Sequence, residues 1–132
     1  MYPFFEANKS GDQNFFSSKI LENFSFPPHL HPYVEIAYVI EGSIEVTIND
    51  TQCCLKAGEV SICFPNDIHT FNSDGFSKII LFIFSPDLTR SFFGIRMDKT
   101  LENPFMSKNI VDDGISSLLY MLHDAVSYTH LW

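Results

Sequence analysis

The chain has 132 residues, a net charge of −8 with eight Lys and Arg, and 45% hydrophobic residues, among them 14 Phe. This length suits one domain, and so much aromatic area suits a sizeable core, so a disordered chain is not expected. A surface that binds duplex DNA needs clustered cations to displace phosphate counterions. We therefore expect no DNA binding by these residues themselves.

The cysteines and the apolar stretches predict the compartment. Cys53, Cys54 and Cys63 are odd in number and lack the spacing of a disulfide framework, so reduced thiols are expected. The chain starts without a basic region before an apolar run, and its most apolar stretch, 79–84, is too short to span a bilayer. We expect a soluble cytoplasmic protein with no membrane partner.

From residue 14 to about residue 85, short apolar runs alternate with turn residues, which is typical of an all-β domain. Strands are expected at about 15–24, 34–40, 43–49, 53–55, 60–64, 68–71 and 78–84. Residues 41–43 predict a tight turn in which Gly42 takes the unusual φ. In the strand after it, Ile44, Val46 and Ile48 should face inward.

The pattern changes after residue 85. Ser85-Pro86-Asp87 has the capping hydroxyl, the first-position Pro and the first-turn acid of a helix that should run to about residue 95. After a loop over 99–109, residues 111–126 predict an amphipathic helix. Its apolar stripe consists of Ile115, Leu118, Leu119, Leu122 and Val126. We expect Pro104 and its loop to detach this helix from the β domain, so the stripe needs a partner, which could be the barrel wall or a second chain.

The most informative segment is His29-Leu30-His31-Pro32-Tyr33-Val34-Glu35. Alternate residues of an extended chain share a face, so His29, His31 and Glu35 should point the same way. Glu35 lies in an otherwise apolar strand, where a carboxylate is costly unless it is paired, hydrogen-bonded or bound to something.

His69 follows Gly58 by eleven residues, and a return strand can bring it beside that first cluster. Three imidazoles and a carboxylate around one cavity suit a first-row divalent metal. They equally suit hydrogen bonds to a polyol or a small acid.

The pattern His29-x-His31-x3-Glu35-x6-Gly42 resembles the first motif of the cupin superfamily, and Gly58 and His69 keep the interval of the second. The turns depart from the motifs, since Asn23 and Asp67 stand where glycines are expected. The resemblance implies a mainly β protein, a double-stranded β-barrel or jelly roll, followed by one or two α-helices.

The chain resembles more narrowly the ligand-binding and dimerisation domain of AraC/XylS-family transcription regulators. The resemblance spans about residues 13–126 and is carried by the order and spacing of segments 26–31, 35–42, 58–59, 64–69 and 84–88. It implies a barrel that senses a sugar or a similar small polar effector, and a helical segment that forms a homodimer. Family members continue into two helix-turn-helix motifs. Nothing resembling them is present here, so DNA is expected as a partner only through that absent domain.

The resemblance implies an effector pocket lined by His29, His31, Tyr33, Glu35 and His69. Cupin histidines often persist without a metal in such domains, so we expect no obligatory cofactor and no catalytic residue. The alternative is a divalent metal on His29, His31, Glu35 and His69. His123 and His130 have no partner at ligand spacing and are expected to be solvated.

The expected organisation is an N-terminal arm (1–14), an effector-binding barrel (15–86), a helical dimerisation segment (87–126) and a tail (127–132) that looks truncated or non-native. The resemblance favours a homodimer through Ile115, Leu118, Leu119 and Leu122. Two alternative functions stay open. One is a small metal-dependent cupin enzyme of the dioxygenase or isomerase type, and the other is a dimerisation module without a ligand.

Overall fold

The computed structural model describes residues 4–5, 15–88 and 103–129. Its strands are β1 (Phe4–Phe5), β2 (Phe16–Glu22), β3 (Phe26–Leu30), β4 (Val34–Ile48), β5 (Thr51–Lys56), β6 (Val60–Cys63), β7 (His69–Asn72), β8 (Ser77–Phe84) and β9 (Phe105–Met106). Residues 86–88 are helical, and helix α1 spans Asp113–Thr129. The rest of the helix predicted up to residue 95, and the end of the predicted tail, lie outside the described residues.

Strand β4 belongs to two sheets. Its first half, from Val34, pairs antiparallel with β8 and β6, and β2 and β9 extend that sheet. Its second half, from Ser43, pairs antiparallel with β5 and β7, and β3 and then β1 follow beyond β7. Two antiparallel sheets that close over one core form a jelly-roll barrel. The predicted mainly β fold is therefore confirmed.

The barrel interior is filled by alternate residues from both sheets. The main contributors are Ala37, Val39, Ile79 and Leu81 from one sheet and Ile44, Val46, Ile48 and Phe71 from the other. The alternation predicted after residue 43 is confirmed, because Ile44, Val46 and Ile48 are at most 1% exposed.

The turn predicted at 41–43 is wrong, because β4 runs unbroken from Val34 to Ile48. Its register against β8 shifts between Val39 and Glu41. Gly42 has a φ of +74°, and a Cβ there would lie only 2.1 Å from the carbonyl oxygen of Phe76. An irregularity with glycine in the left-handed region bends a strand without ending it. The glycine therefore marks the place where β4 passes from one sheet to the other.

The outer face of the β4–β8 sheet carries a second core. Val34, Tyr38 and Phe82 pack there with Val111 and Leu119 from the C-terminal segment. This face is apolar because it is covered, which explains why β8 is buried along nearly its whole length.

The C-terminal segment is attached to the barrel, so the expectation that Pro104 detaches the helix is wrong. The carbonyl oxygen of Pro104 accepts a hydrogen bond from the backbone N–H of Ile62 at 2.8 Å, and β9 pairs with β6. Further along, the Tyr38 hydroxyl donates to Ser116 Oγ at 3.0 Å. The physical reason is that sheet edges and buried hydroxyls need partners, and this segment supplies them.

Helix α1 divides its predicted apolar stripe between two sides. Leu119 packs against the barrel, whereas 40–65% of the surface is exposed at Ile115, Leu118 and Leu122 of the stripe and at Met121 beside them. His123 is not solvated as expected, because it is half-buried and its Nδ1 is hydrogen-bonded to Ser18 Oγ. His130 lies outside the described residues. None of the helical segments that the structure describes is long and apolar enough to cross a membrane.

Candidate functional site

Four side chains that the sequence analysis singled out converge inside the barrel. His29 comes from β3, His31 from the bend between β3 and β4, Glu35 from β4 and His69 from β7. Each is between 1% and 4% exposed. One potential ligand atom from each lies within 4.8 Å of those of the other three. We call these four residues the His–Glu cluster.

Glu35 is at the centre of the hydrogen bonds in the His–Glu cluster. Its Oε2 accepts from His31 Nε2 at 2.8 Å and from His69 Nε2 at 3.1 Å. Its Oε1 is buried and has no hydrogen-bond partner among the described residues. A buried carboxylate oxygen without a partner is costly, so this atom is the part of the cluster best placed to receive a ligand.

Glu35 and His69 each stabilise the charged form of the other. Burial alone would raise the pKa of Glu35, but the charge of His69 and the hydrogen bonds from His31 and His69 outweigh it and hold that pKa below its usual range. Burial alone would lower the pKa of His69, but the Glu35 carboxylate, assisted by Cys63, raises it well above its ordinary value. The pair is therefore an imidazolium beside a carboxylate.

Backbone groups orient the three imidazoles in two different ways. His29 Nδ1 donates to the carbonyl oxygen of Pro27 at 2.8 Å, and His69 Nδ1 donates to that of Asp67 at 3.0 Å. His31 is reversed, because its Nδ1 accepts the backbone N–H of Tyr33 at 3.3 Å. A carbonyl only accepts and an N–H only donates, so the partner determines which ring nitrogen carries hydrogen.

A hydrogen-bonded pair of polar residues holds the turn that carries His69. Asp67, which is 5% exposed, accepts from Asn49 Nδ2 at 3.1 Å and from the backbone N–H of Phe64 at 3.0 Å. Asn49 Oδ1 in turn accepts from the backbone N–H of Ile68 at 3.0 Å. From the sequence, Asn49 is predicted only at the end of a strand and Asp67 only in a turn. The signal that could have indicated their role is that Asn and Asp side chains often form hydrogen bonds to nearby backbone groups.

Cys63 is a neighbour of the cluster that the sequence analysis did not connect to it. It lies opposite Glu35 in the β4–β6 ladder and is 1% exposed. Burial raises the pKa of its thiol to about 11, despite the favourable effect of His69. The side chain is therefore a neutral thiol packed beside the cluster. No local sequence pattern predicts this position, because only the pairing of β4 with β6 brings Cys63 beside the cluster.

Tyr33 and strand β1 lie at the edge of the cluster. The Tyr33 ring is 5.9 Å from that of His31 and 5.2 Å from that of Phe15, measured between centroids, and Tyr33 is 3% exposed. Strand β1 runs parallel to β3, with Phe4 opposite His29. Strand β1 thus pairs with the strand that supplies the first histidine.

Comparison with solved structures shows the fold. The cupin domain of Cnp3 from Schizosaccharomyces pombe matches with 19% identity and a TM-score of 0.52, over 66% of this chain and 63% of that chain. A conserved protein of unknown function from Streptococcus pyogenes matches with 14% identity and a TM-score of 0.51, over 54% and 65%. A protein from Thermus thermophilus matches with 11% identity and a TM-score of 0.51, over 56% and 75%.

Comparison with protein families is more specific. No curated protein sequence matches the chain significantly. The family model described as the AraC-like ligand binding domain matches residues 15–126, which include the barrel, the His–Glu cluster and most of helix α1. The chain therefore belongs to the family of AraC-like ligand-binding domains.

Proposed function

We propose that this domain senses a small polar effector inside the barrel and forms the homodimerising half of a cytoplasmic transcription regulator. The family supports an effector-binding role in general. The observation that carries the location is the buried Glu35 Oε1, which has no partner among the described residues and lies among three imidazoles. A ligand that donates a hydrogen bond would relieve the cost of that atom.

The chemistry of the cluster favours a neutral effector with hydroxyl groups, such as a sugar. The Glu35 carboxylate accepts hydrogen bonds, while the imidazoles offer both donors and acceptors, which suits a hydroxyl that does both. The charge of Glu35 is already balanced by His69, so a neutral molecule leaves the barrel without an unpaired charge. The cluster residues are almost fully buried, so entry requires movement at an edge, and the arm strand β1 beside β3 is the nearest short element.

The proposed dimer uses the outward side of helix α1. Ile115, Leu118, Met121 and Leu122 are exposed on it, and Leu118 and Met121 are 64% and 65% exposed. Apolar residues spaced three and four positions apart on a docked helix form a surface that a second copy of the same helix can cover. Leu119, predicted for this interface, is left out of the proposal because it packs on the barrel.

DNA would be contacted by another part of the regulator. The net charge of −8 makes these residues a poor phosphate-binding surface. In the proposal, a helix-turn-helix domain supplies that contact, and effector occupancy changes how the dimer presents it.

The test is a thermal-shift panel of pentoses, hexoses and linear polyols at millimolar concentration. We expect at least one to raise the melting temperature of the wild type, because a ligand that binds only the folded state stabilises it. Glu35→Gln should lose this shift, and Glu22→Gln, an exposed carboxylate on β2, should keep it. A panel without any shift, or a shift that survives in Glu35→Gln, contradicts the proposal.

A metal-dependent cupin enzyme is the second candidate, and the observation that favours it is the His–Glu cluster itself. Such an enzyme needs a coordination position that substrate or water can reach. Water-proton relaxation of Mn²⁺-loaded protein distinguishes the two. An exchanging water on the ion would favour the enzyme, and its absence would favour the effector domain.

A further inference from the structure

We propose that a groove on the outer face of β3, β7 and β4 binds a small organic ammonium ion, a primary amine on an apolar body, through Glu45, Thr70 and Asn72. Strand β7 sends His69 into the barrel and Thr70 and Asn72 to the other face, so this outer groove is separate from the His–Glu cluster. The inference therefore goes beyond the proposed function. Three observations carry it: the lining of the groove, a hydroxyl without a partner and a carboxylate without a partner.

The outer groove has the size of a small-molecule site. Its volume is about 420 Å³, and such sites usually measure about 300–1,000 Å³. Its wall on β3 is apolar and consists of Phe26, Pro27 and Pro28. Its polar lining from β4 and β7 includes Glu45, Thr70 and Asn72. Because proline has no backbone N–H, the wall on β3 offers an apolar body a contact surface and offers an anion few donors.

The Thr70 hydroxyl is free to bind a ligand. Its Oγ1 is buried and has no hydrogen-bond partner among the described residues, although the side chain as a whole is only half-buried. Rotation about the Cα–Cβ bond to another staggered position exchanges the methyl and the hydroxyl, and it brings Oγ1 to the outer groove. No hydrogen bond is lost in that rotation, and one is gained when a ligand donates to Oγ1.

The charge of the outer groove comes from Glu45. Its carboxylate is half-buried and forms no hydrogen bond or ion pair in the part of the chain that the structure describes. Lys56 lies on the neighbouring strand β5, but it pairs with Ser43 in the ladder and makes no ion pair with Glu45. A cationic ligand supplies the missing partner, whereas an anion would be repelled.

The strand register brings the three polar side chains together. Glu45 lies directly opposite Asn72 in the β4–β7 ladder, and the Cβ atoms of such a pair are about 5 Å apart. Thr70 is two residues before Asn72 on the same face of β7. A primary ammonium has three N–H donors and no acceptor, so it can use the carboxylate, the hydroxyl and the amide oxygen together. An alcohol has one donor and leaves the charge of Glu45 unpaired.

The first experiment compares three probes of similar shape by proton–nitrogen NMR titration of the whole chain: benzylamine, benzyl alcohol and benzoate. We expect benzylamine to shift the backbone amides of Glu45, Thr70 and Asn72 in saturable fashion. Its affinity should exceed that of benzyl alcohol at least about tenfold, as is usual for a hydrogen bond to a charged group. Benzoate should cause no shift there. Equal affinities for the amine and the alcohol, or amine-induced shifts confined to other parts of the chain, would overturn the proposal.

The second experiment repeats the benzylamine titration on variants that the NMR spectrum shows to be folded. Glu45→Gln should lower the affinity at least about tenfold. Glu41→Gln removes the same charge at an exposed position of β4 and should leave the affinity unchanged. An unchanged affinity in Glu45→Gln would show that the amine is held elsewhere.

The role of the hydroxyl has its own variant. Thr70→Val keeps the shape of the side chain, and it should weaken benzylamine binding about threefold or more without lowering the melting temperature, because no described partner is lost. A lower melting temperature, or an unchanged affinity, would contradict the assignment of Thr70.

The outer groove and the proposed effector site are distinguished in the wild type. Benzylamine should leave the ring signals of His31, which contacts Glu35 inside the barrel, unchanged. If it shifts them in saturable fashion, the amine enters the barrel and the proposal of an outer site is wrong. If benzylamine does not bind but a polyol still stabilises the fold, this inference fails and the proposed effector function stands.

Discussion

At the scale of single residues, Glu35 determines the properties of the barrel interior. It is a buried carboxylate, and two imidazole donors make its burial tolerable. Such a pair costs stability when one member is removed, because the other then remains as a buried charge. The pair should also make the stability of the domain depend on pH.

The direction of this pH dependence follows from the two pKa shifts. The pKa of Glu35 is held below its ordinary value of 4.5, so its stabilisation is complete above pH 4.5 and is lost as the pH falls toward the folded-state pKa. The pKa of His69 is raised above its ordinary value of 6.5, so its stabilisation is complete below pH 6.5 and is lost as the pH rises through the raised pKa. The pair should therefore stabilise the fold most between those two values.

We predict that Glu35→Gln removes the alkaline decrease in stability and lowers the free energy of unfolding by about 3–5 kcal/mol, the usual cost of breaking a buried ion pair. Urea unfolding between pH 3.5 and pH 9 measures this, with Glu22→Gln as the matched control on an exposed site. An alkaline decrease in stability of the same size in Glu35→Gln would show that another group causes it.

The residues of the cluster were largely predictable, and their roles were not. The parity of His29, His31 and Glu35 and the interval from Gly58 to His69 are local features of the sequence, and they identified the four side chains that converge. Which nitrogen of each ring carries hydrogen depends on a backbone group two residues away, such as the Asp67 carbonyl for His69. The local backbone conformation decides whether a carbonyl or an N–H faces the ring, and side-chain periodicity does not contain this information.

At the scale of elements, β4 and helix α1 show where a local pattern has two solutions. Glycine between two apolar runs occurs in hairpin turns and also in strands that bend. The sequence around Gly42 is compatible with both. The choice is made by Phe76, whose carbonyl approaches Gly42 so closely that no side chain fits, and this contact is not local in the sequence.

We predict that Gly42→Ala destabilises the fold by at least about 2 kcal/mol, because strain at positive φ adds to a clash with rigid backbone. Gly75→Ala is the control, since Gly75 also has a positive φ but a Cβ there would meet nothing within 4 Å. Chemical denaturation of both variants separates the clash from the strain. Equal losses in the two would mean that the approach of Phe76 is unimportant.

Helix α1 was predicted from its period, but the side on which it packs was not. The period identifies Leu118, Leu119 and Leu122 as one apolar group. Hydrogen bonds from Tyr38 and Ser18 draw Ser116 and His123 toward the barrel instead. Because these contacts fix the orientation of the helix, most of the stripe is exposed. A hydrophobic pattern contains no information about such polar contacts.

For the proposed dimer, we predict that the double variant Leu118→Glu, Leu122→Glu is monomeric at concentrations where the wild type is dimeric. Charges buried in an interface without partners cost several kcal/mol. Ser117→Glu, an exposed position on the same helix, should remain dimeric. Sedimentation velocity at tens of micromolar decides this. A monomeric wild type, or a dimeric double variant, excludes this face as the interface.

At the scale of the whole molecule, two apolar cores lie on the two faces of one sheet. One fills the barrel and the other lies under the C-terminal segment. This amount of buried apolar surface stabilises a domain without help from a metal, unlike a zinc finger.

We therefore predict that the chain folds and melts cooperatively at the same temperature with and without a strong chelator. Circular dichroism during heating measures the melting temperature in both conditions. An unfolded spectrum in chelator would mean that the metal is structural and that the apolar cores are insufficient.

The central claim is that an effector binds at Glu35 inside the barrel. Proton–nitrogen NMR of the imidazole rings tests it most directly, during titration with the strongest stabiliser from the polyol panel. The account predicts that the ring signals of His31 and His69, which contact Glu35, shift in saturable fashion in the wild type, and that Glu35→Gln does not respond. Unchanged ring signals, with saturable shifts confined to backbone amides on the outer surface, would contradict it.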